Sequence, residues 1–119
     1  MKQYYKNLHL SSDGSKIENI THRIKDIVFK SEIKNGIVNV SILNTTASLI
    51  IQENADPDVL KDLQTFYRKL VPMNGDYLHS SEGVDDMPAH IKSTLTNSNL
   101  TLRFRGGCSV GNLARDIPL

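Results

Sequence analysis

The sequence predicts a single α+β domain with a mostly antiparallel sheet and about three helices. Strand-like and helix-like segments occur in groups rather than in strict β–α–β alternation, and no repeat or linker divides residues 1–119. A length of 119 residues is also typical of one compact domain. Apolar residues make up 39% of the chain and charged residues 23%, which indicates a folded domain rather than a disordered one.

A strand and a helix are expected first. Gln3–Leu10 carries aromatic and aliphatic side chains and ends in the polar turn Ser11–Gly14, which predicts a strand. Within Ile17–Val28, isoleucine and valine recur every three or four residues, and this spacing predicts a helix with one apolar face. Asn19 or Thr21 is expected to cap that helix.

The middle of the chain predicts two strands and a second helix. The turn Asn35-Gly36 precedes the β-branched run Ile37–Leu43, and Thr45–Gln52 follows as another strand. Asp56-Pro57 is typical of a helix start, and Val71-Pro72 is expected to end the helix. This second helix is expected to have an apolar inner face. That face would consist of Val59, Leu60, Leu63, Phe66, Tyr67 and Leu70.

One helix and one strand complete the prediction. A polar loop over residues 75–86 leads to Met87-Pro88, which is expected to begin a short helix that runs through Leu95. Leu100–Phe104 alternates apolar and polar side chains, and this period of two predicts a strand.

Composition excludes several classes of protein. A net charge of +1 lacks the excess of lysine and arginine that nucleic-acid binding requires. Apolar runs such as Leu49–Ile51 are far shorter than the about 20 residues of a membrane span. The N-terminal residues contain no apolar signal region, so we expect a cytoplasmic protein. A single cysteine, Cys108, allows neither an internal disulfide nor a cysteine-based zinc site.

The densest polar cluster is His79–His90, which holds two of the four histidines and three carboxylates. Two imidazoles and a carboxylate can bind a divalent ion and leave a position for water or a substrate oxygen. Either histidine could instead transfer a proton, because imidazole titrates near neutral pH. An alternative interpretation is purely structural, with Asp85 or Asp86 as an acidic helix cap.

A second candidate is the hydroxyl-rich segment Asn44–Ser48, which lies between two apolar strands. Its hydroxyl groups could donate hydrogen bonds to a phosphate or carboxylate. Alternatively, they could satisfy their own backbone in a bulge or hairpin corner.

Four blocks of the sequence resemble the YjbQ-like family, also called secondary thiamine-phosphate synthase enzymes. The resemblance is carried by the blocks Thr45–Leu49, Glu53–Val59, Val71-Pro72 and His79–Lys92 (HSSEGVDDMPAHIK), which occur in the family's order. The second and fourth blocks are long and specific, and the similarity runs through nearly the whole chain.

The resemblance implies a compact α+β fold, a homotrimer, and a pocket for a divalent metal ion and a phosphorylated small molecule. It also implies weak thiamine-phosphate synthase activity, which joins a pyrimidine pyrophosphate to a thiazole phosphate and releases pyrophosphate. A divalent cation would carry the charge of the leaving group. On this basis the expected catalytic residues are His79, Glu82 and His90, the expected metal ligands are His79, Asp85 and His90, and the expected substrate-binding residues are Asn44, Thr45, Thr46 and Ser48.

One departure from the family pattern lies at Asn44, where the family usually has histidine. Asparagine can accept a hydrogen bond and orient a ligand, but it is a poor metal ligand and cannot act as a base near neutral pH. We therefore weigh two functions. One is a metal-assisted enzyme, and the alternative is a non-catalytic binding or assembly protein that keeps the fold with a vestigial site.

A second departure covers residues 108–119, where the family usually continues through a strand similar to GTWQGIYL. A set of codons that encodes residues 111–119 yields this segment when the reading frame moves by one base. We therefore hypothesise a one-base frameshift near Gly107-Cys108, which the nucleotide sequence of codons 106–110 would test. The alternative is a divergent terminus. An altered tail is expected to replace a strand with a polar segment and to leave a sheet edge unpaired.

Overall fold

The described part of the chain contains three helices and four strands. This computed structural model describes residues 1–11, 17–52 and 55–106, together with the backbone of 114–116. The elements are α1 (Thr21–Lys30), β1 (Gly36–Ser41), β2 (Leu49–Ile51), α2 (Pro57–Leu70), α3 (Asp86–Leu95), β3 (Asn99–Phe104) and β4 (Ala114–Asp116). None of these helices has the length and apolar character that a membrane span requires.

Both sheets are antiparallel pairs, which confirms the predicted α+β class. Strand β1 pairs with β3 from Gly36 opposite Phe104 to Ser41 opposite Asn99. Strand β2 pairs with β4, and an isolated bridge joins Leu49 to Asn97, just before β3. This bridge places β2 and the segment between α3 and β3 side by side.

The main core lies between α1 and the β1–β3 pair. Ile20, Ile24 and Val28 are buried at a spacing of four residues, and they pack in one cluster with Leu102 and Phe104 of β3. Burial alternates along β1, as expected for a strand with one covered face. The predicted apolar periodicities of this helix and of β3 are thus confirmed.

Helix α1 begins at Thr21, four residues later than the first apolar residue of the periodic segment. The Asn19 side chain accepts a hydrogen bond from the Thr21 backbone N–H at 3.0 Å, so one of the two proposed capping residues acts at the helix start. Ile20 is buried without being helical. Hydrophobic spacing therefore identified the buried face but not the first helical residue.

The predicted first strand, Gln3–Leu10, is wrong. Residues 1–11 have no regular secondary structure and are exposed. A strand requires backbone partners, and none of the described residues pairs with this segment through its backbone; Arg23 Nη1 donates a long side-chain hydrogen bond, 3.4 Å, to the carbonyl of His9. Alternating side chains alone cannot supply that pairing.

Helix α2 has the predicted limits but not the predicted burial. Asp56 accepts a hydrogen bond from the Asp58 N–H at 2.9 Å, and the helix ends at Leu70, directly before Val71. No side chain of α2 is buried, and Phe66 is 56% exposed. Val59, Leu60, Leu63 and Tyr67 are half-buried, whereas Phe66 and Leu70 are exposed, so the described part of the chain covers the expected inner face only in part.

The strand predicted over Thr45–Gln52 is reduced to β2. Asn44 Oδ1 accepts a hydrogen bond from the Thr46 N–H at 3.0 Å, and this local turn replaces strand pairing before Leu49. The expectation that the tail contains no strand is wrong at 114–116, because backbone pairing with β2 does not depend on apolar side chains. Residues 107–113 and 117–119, which include Cys108, lie outside the described residues.

Candidate functional site

A cluster of two histidines and two carboxylates lies where the loop after α2 meets the start of α3. His79 and Glu82 belong to the loop, and Asp86 and His90 belong to α3. Asp86 and His90 are four residues apart on the helix, so their side chains lie on the same face, one turn apart. The helix start thus presents an acid and an imidazole toward the loop.

The four side chains converge on one point. One donor atom from each of His79, Glu82, Asp86 and His90 lies within 4.8 Å of the others. The Nε2 atom of His79 is 2.6 Å from Oδ2 of Asp86 and 3.2 Å from Oε2 of Glu82. The Nε2 atom of His90 is 3.2 Å from the same Asp86 oxygen. Asp86 is therefore the centre of the cluster.

The cluster is accessible from solvent. The Asp86 side chain is 21% exposed and that of Glu82 is 67% exposed, with both imidazoles between these values. The rings of His79 and His90 meet edge to face, with their centroids 5.6 Å apart. A small ligand can therefore reach the donor atoms without opening the core.

Two local features shape the loop that carries His79 and Glu82. The Tyr77 hydroxyl donates a hydrogen bond to the carbonyl of Pro72 at 2.6 Å, which closes the segment just before His79. Gly83 follows Glu82 with a φ of +110°, a conformation that favours glycine. A Cβ atom at Gly83 would also lie 3.0 Å from Oδ1 of Asp85. The loop shape thus depends on glycine at this position.

The ionisation of Asp86 and His79 is mutually favourable. The hydrogen bond to Asp86 raises the pKa of His79, although partial burial opposes this, and the charges of Asp86 and Glu82 add to the increase. The hydrogen bond from His79 lowers the pKa of Asp86, again against partial burial. The imidazolium of His79 and the carboxylate of Asp86 therefore coexist over a wider pH range than they would if the two side chains were apart.

The hydroxyl-rich segment is connected to the same helix through Ser93. Ser93 Oγ lies 2.7 Å from the carbonyl of Thr45 and 2.8 Å from the carbonyl of His90. Since His90 belongs to the cluster, this serine fixes the segment against the turn of α3 that carries one of the imidazoles. Ser93 thus connects the backbone of the hydroxyl-rich segment to the backbone of α3 beside His90.

Individual residues of the hydroxyl-rich segment have different surroundings. Asn44 is exposed, and its side-chain oxygen bonds the Thr46 backbone. Thr45 is also exposed, whereas Ser48 is fully buried and its hydroxyl bonds that of Thr96. This geometry gives Ser48 a packing role, and it leaves the exposed residues as the part of the segment that can meet a ligand.

The acidic residue expected to bind metal was Asp85, but the structure brings Asp86 into the cluster instead. Asp85 precedes α3, and its backbone carbonyl accepts a hydrogen bond from the Ala89 N–H at 3.1 Å. The spacing of Asp86 and His90 carried a signal that Asp86 lies in the cluster, because residues four apart on a helix face the same side. The family pattern had instead assigned the role of metal ligand to the neighbouring residue, Asp85.

The composition of the cluster fits a divalent ion, and so do two of its three short contacts, the exception being the 2.6 Å from His79 to Asp86. Imidazole nitrogens and carboxylate oxygens are ligands of zinc and of other first-row metals. Ligands on a tetrahedral ion lie about 3.4 Å apart when each bond is about 2.1 Å. The separations of 3.2 Å from His79 to Glu82 and from His90 to Asp86 are close to that value.

The fold and this cluster define an antiparallel α+β protein with a histidine–carboxylate cluster at the start of α3. A sequence profile described as UPF0047 protein YjbQ-like matches residues 6–115. The chain belongs to this family, as the sequence resemblance indicated. The matched range reaches into the segment after residue 107 that departs from the family pattern.

Two relatives illustrate the similarity in sequence. A UPF0047 protein of Synechocystis sp. is 48% identical over 99 residues, which cover 82% of this chain and 67% of the relative. The UPF0047 protein YjbQ of Escherichia coli O157:H7 is 36% identical over 105 residues, which cover 87% of this chain and 76% of the relative.

Solved structures share the fold. A crystal structure of a YjbQ/UPF0047 family protein from Clostridium acetobutylicum has a TM-score of 0.78 and 32% identity, covering 91% of this chain and 84% of that protein. A conserved hypothetical protein of Thermus thermophilus has a TM-score of 0.76 and 28% identity, covering 92% and 84%. The α+β architecture is therefore that of the family.

Proposed function

We propose that this protein binds a divalent metal ion through His79, Asp86 and His90, with Glu82 beside the ion as a proton donor or acceptor, and acts on a phosphorylated small molecule. The observation that carries the proposal is the convergence of four donor atoms within 4.8 Å on a solvent-accessible surface. Clusters of this composition are typical of metal sites that keep one position for water or substrate.

A metal ion bound there would supply positive charge to a phosphate or pyrophosphate group and so stabilise a leaving group. The protein's own residues would orient that group. Glu82 is the most exposed of the donors, which suits it to accept or deliver a proton at the edge of the site. Thr45 is exposed and its backbone carbonyl is joined to α3 through Ser93, which supports a role for its hydroxyl as a hydrogen-bond donor to the ligand.

The specific reaction that we propose to test is thiamine-phosphate synthesis, which the family resemblance implies. In this reaction a pyrimidine pyrophosphate loses pyrophosphate as its carbon forms a bond to the ring nitrogen of a thiazole phosphate. Purified protein should bind a divalent ion and form thiamine phosphate from the two precursors. A chain that binds no zinc or manganese by titration calorimetry, and whose melting temperature does not change with either ion, would contradict the proposal.

A second candidate function is non-catalytic ligand binding with a vestigial site. The observation in its favour is Asn44, because its side-chain oxygen is engaged by the Thr46 backbone and its amide cannot serve as a base. An assay of the wild-type chain beside an Asn44→His variant with the family-type C-terminal segment restored separates the two functions. Equal and negligible product formation by both proteins would support the non-catalytic function.

We also propose that the chain assembles as a homotrimer. The support is the family resemblance together with the apolar side chains that α2 leaves exposed, including Phe66 at 56% and Leu70 at 53%. Exposed apolar side chains grouped on one helix are typical of surfaces that another protein covers. Light scattering coupled to size exclusion should give about three times the 13.3 kDa mass of the chain.

A further inference from the structure

A cleft lies between the N-terminal segment and a side of α1 that the core does not use. Its volume is about 590 Å³, and small-molecule sites typically measure about 300–1,000 Å³. Asp26 and Phe29 of α1 line the cleft, whereas Ile24 and Val28 of the same helix belong to the core. The histidine–carboxylate cluster contributes no residue to this cleft, so the two places can be tested separately.

Part of the cleft wall is apolar. Leu8 of the N-terminal segment lines it together with Ile27 and Phe29 of α1. Ile27 is half-buried, whereas Phe29 is 67% exposed and Leu8 is 37% exposed. A phenyl ring beside two aliphatic side chains is a surface that gains free energy when an apolar group covers it. The wall therefore favours a ligand with an aromatic or aliphatic body.

Three cations line the same cleft. Lys6 comes from the N-terminal segment, and Arg23 and Lys25 come from α1. None of the carboxylates in the described part of the chain pairs with these three side chains. Arg23 donates a hydrogen bond of 3.4 Å to a backbone carbonyl of the N-terminal segment, which does not neutralise its charge. The acid that lines the cleft, Asp26, is instead paired with Lys30 at 3.0 Å. The cleft thus has an excess of positive charge.

We propose that this cleft binds a small phosphate ester with an aromatic body, at a site distinct from the histidine–carboxylate cluster. The oxygens of a phosphate ester suit the planar fork of Arg23 and the point charges of the two lysines. The aromatic body would cover Leu8, Ile27 and Phe29. A free anion would leave this wall in water, and a neutral aromatic compound would leave the cations without a counter-ion. Both parts of the ligand are therefore required.

The test is titration calorimetry with 1-naphthyl phosphate in the presence of a metal chelator, beside inorganic phosphate and 1-naphthol. Wild type should bind 1-naphthyl phosphate at least about tenfold more tightly than either of the other two. Lys25→Gln should weaken its binding by about tenfold, because a charge-assisted contact is lost. Lys34→Gln is the matched control, since it removes an exposed lysine outside the cleft, and it should bind with wild-type affinity.

A second pair of variants tests the apolar wall. Phe29→Ser should weaken binding of 1-naphthyl phosphate and reduce its advantage over inorganic phosphate. The ring is exposed, so its loss should leave the fold intact. Phe66→Ser removes a ring of similar exposure, 56%, from α2 and should leave the affinity unchanged.

Four outcomes would overturn the inference. Two of them are absence of 1-naphthyl phosphate binding by wild type and unchanged affinity in Lys25→Gln. His90→Ala should also keep wild-type affinity, and a loss in this variant would place the ligand at the histidine–carboxylate cluster instead. If Phe29→Ser changes the mass of the assembly in light scattering but not the affinity, a second copy of the chain covers the cleft and the inference is wrong.

Discussion

Oδ2 of Asp86 lies 2.6 Å from Nε2 of His79, which is shorter than the about 3.4 Å between two ligands of a tetrahedral metal ion. The distance is instead that of a strong hydrogen bond between a carboxylate and an imidazole. The proton shared between His79 and Asp86 therefore holds the two side chains together. If the proposed divalent ion binds here, it would have to replace that proton and separate the two atoms by about 0.8 Å.

The first prediction concerns the choice between two adjacent aspartates. Asp86→Asn should weaken zinc or manganese binding by at least about tenfold, because an amide oxygen carries no charge and the central acceptor of the cluster is lost. Titration calorimetry measures the effect directly. Asp85→Asn is the matched control and should bind with wild-type affinity, because Asp85 lies outside the cluster. A greater loss in Asp85→Asn than in Asp86→Asn would contradict the assignment.

The second prediction is a pH dependence of the metal-free protein. The raised pKa of His79 gives stability that is complete below pH 6.5 and is lost as pH rises through the folded-state pKa. The lowered pKa of Asp86 gives stability that is complete above pH 3.8 and is lost as pH falls through its folded-state pKa. Both contributions are complete between about pH 3.8 and 6.5, so the difference in unfolding free energy between wild type and Asp86→Asn should be greatest there.

Urea unfolding at about pH 5, 7 and 9 measures this difference. We expect it to decrease steadily across this range as His79 loses its proton. The Asp85→Asn variant again serves as control and should follow the wild-type curve. A difference that grows toward alkaline pH would show that the bond between His79 and Asp86 does not stabilise the imidazolium.

The elements that local chemistry determines were predictable from the sequence. Asp56-Pro57 and Val71-Pro72 set the limits of α2, and the spacing of Ile20, Ile24 and Val28 identified the buried face of α1. The irregular conformation of Gln3–Leu10 was not predictable, because whether a segment forms a strand depends on another strand that pairs with it. The exposure of Phe66 and Leu70 on α2 was not predictable for a similar reason. A helical period indicates which face is apolar but not what covers that face.

The candidate site was predictable in composition but not in detail. The sequence predicted His79, Glu82 and His90 as site residues, and these three side chains lie together in the structure. Sequence order could not show that Asp86 rather than Asp85 points into the cluster, because neighbouring helix residues differ in direction by about 100°. The burial of Lys92 was equally hidden, since lysine is normally an exposed residue.

The third prediction tests the connection between the hydroxyl-rich segment and α3. Ser93→Ala removes the contact to the Thr45 carbonyl and should lower the free energy of unfolding by about 1 kcal/mol. Thr94→Ala is the control, because its hydroxyl is exposed and bonds only the Ile91 carbonyl of its own helix at 2.6 Å. Its effect should stay within about 0.5 kcal/mol. Equal losses in the two variants would show that the contact to Thr45 contributes nothing.

The fourth prediction concerns the cost of burying the charge of Lys92. The lowered pKa means that the unfolded chain binds more protons than the native chain from the folded-state pKa up to about pH 10.5. The free energy of unfolding of the wild type should therefore contain a term that rises with pH across this window. Lys92→Met lacks the charge, so its curve should lie above that of the wild type at about pH 7 and approach it toward about pH 10.

Chemical unfolding of wild type, Lys92→Met and Lys69→Met at about pH 7, 8.5 and 10 in phosphate-free buffer measures this effect. Lys69→Met should remain parallel to the wild type, because Lys69 is exposed. A wild type that is more stable than Lys92→Met at neutral pH without phosphate would mean that a protein carboxylate already pairs with Lys92.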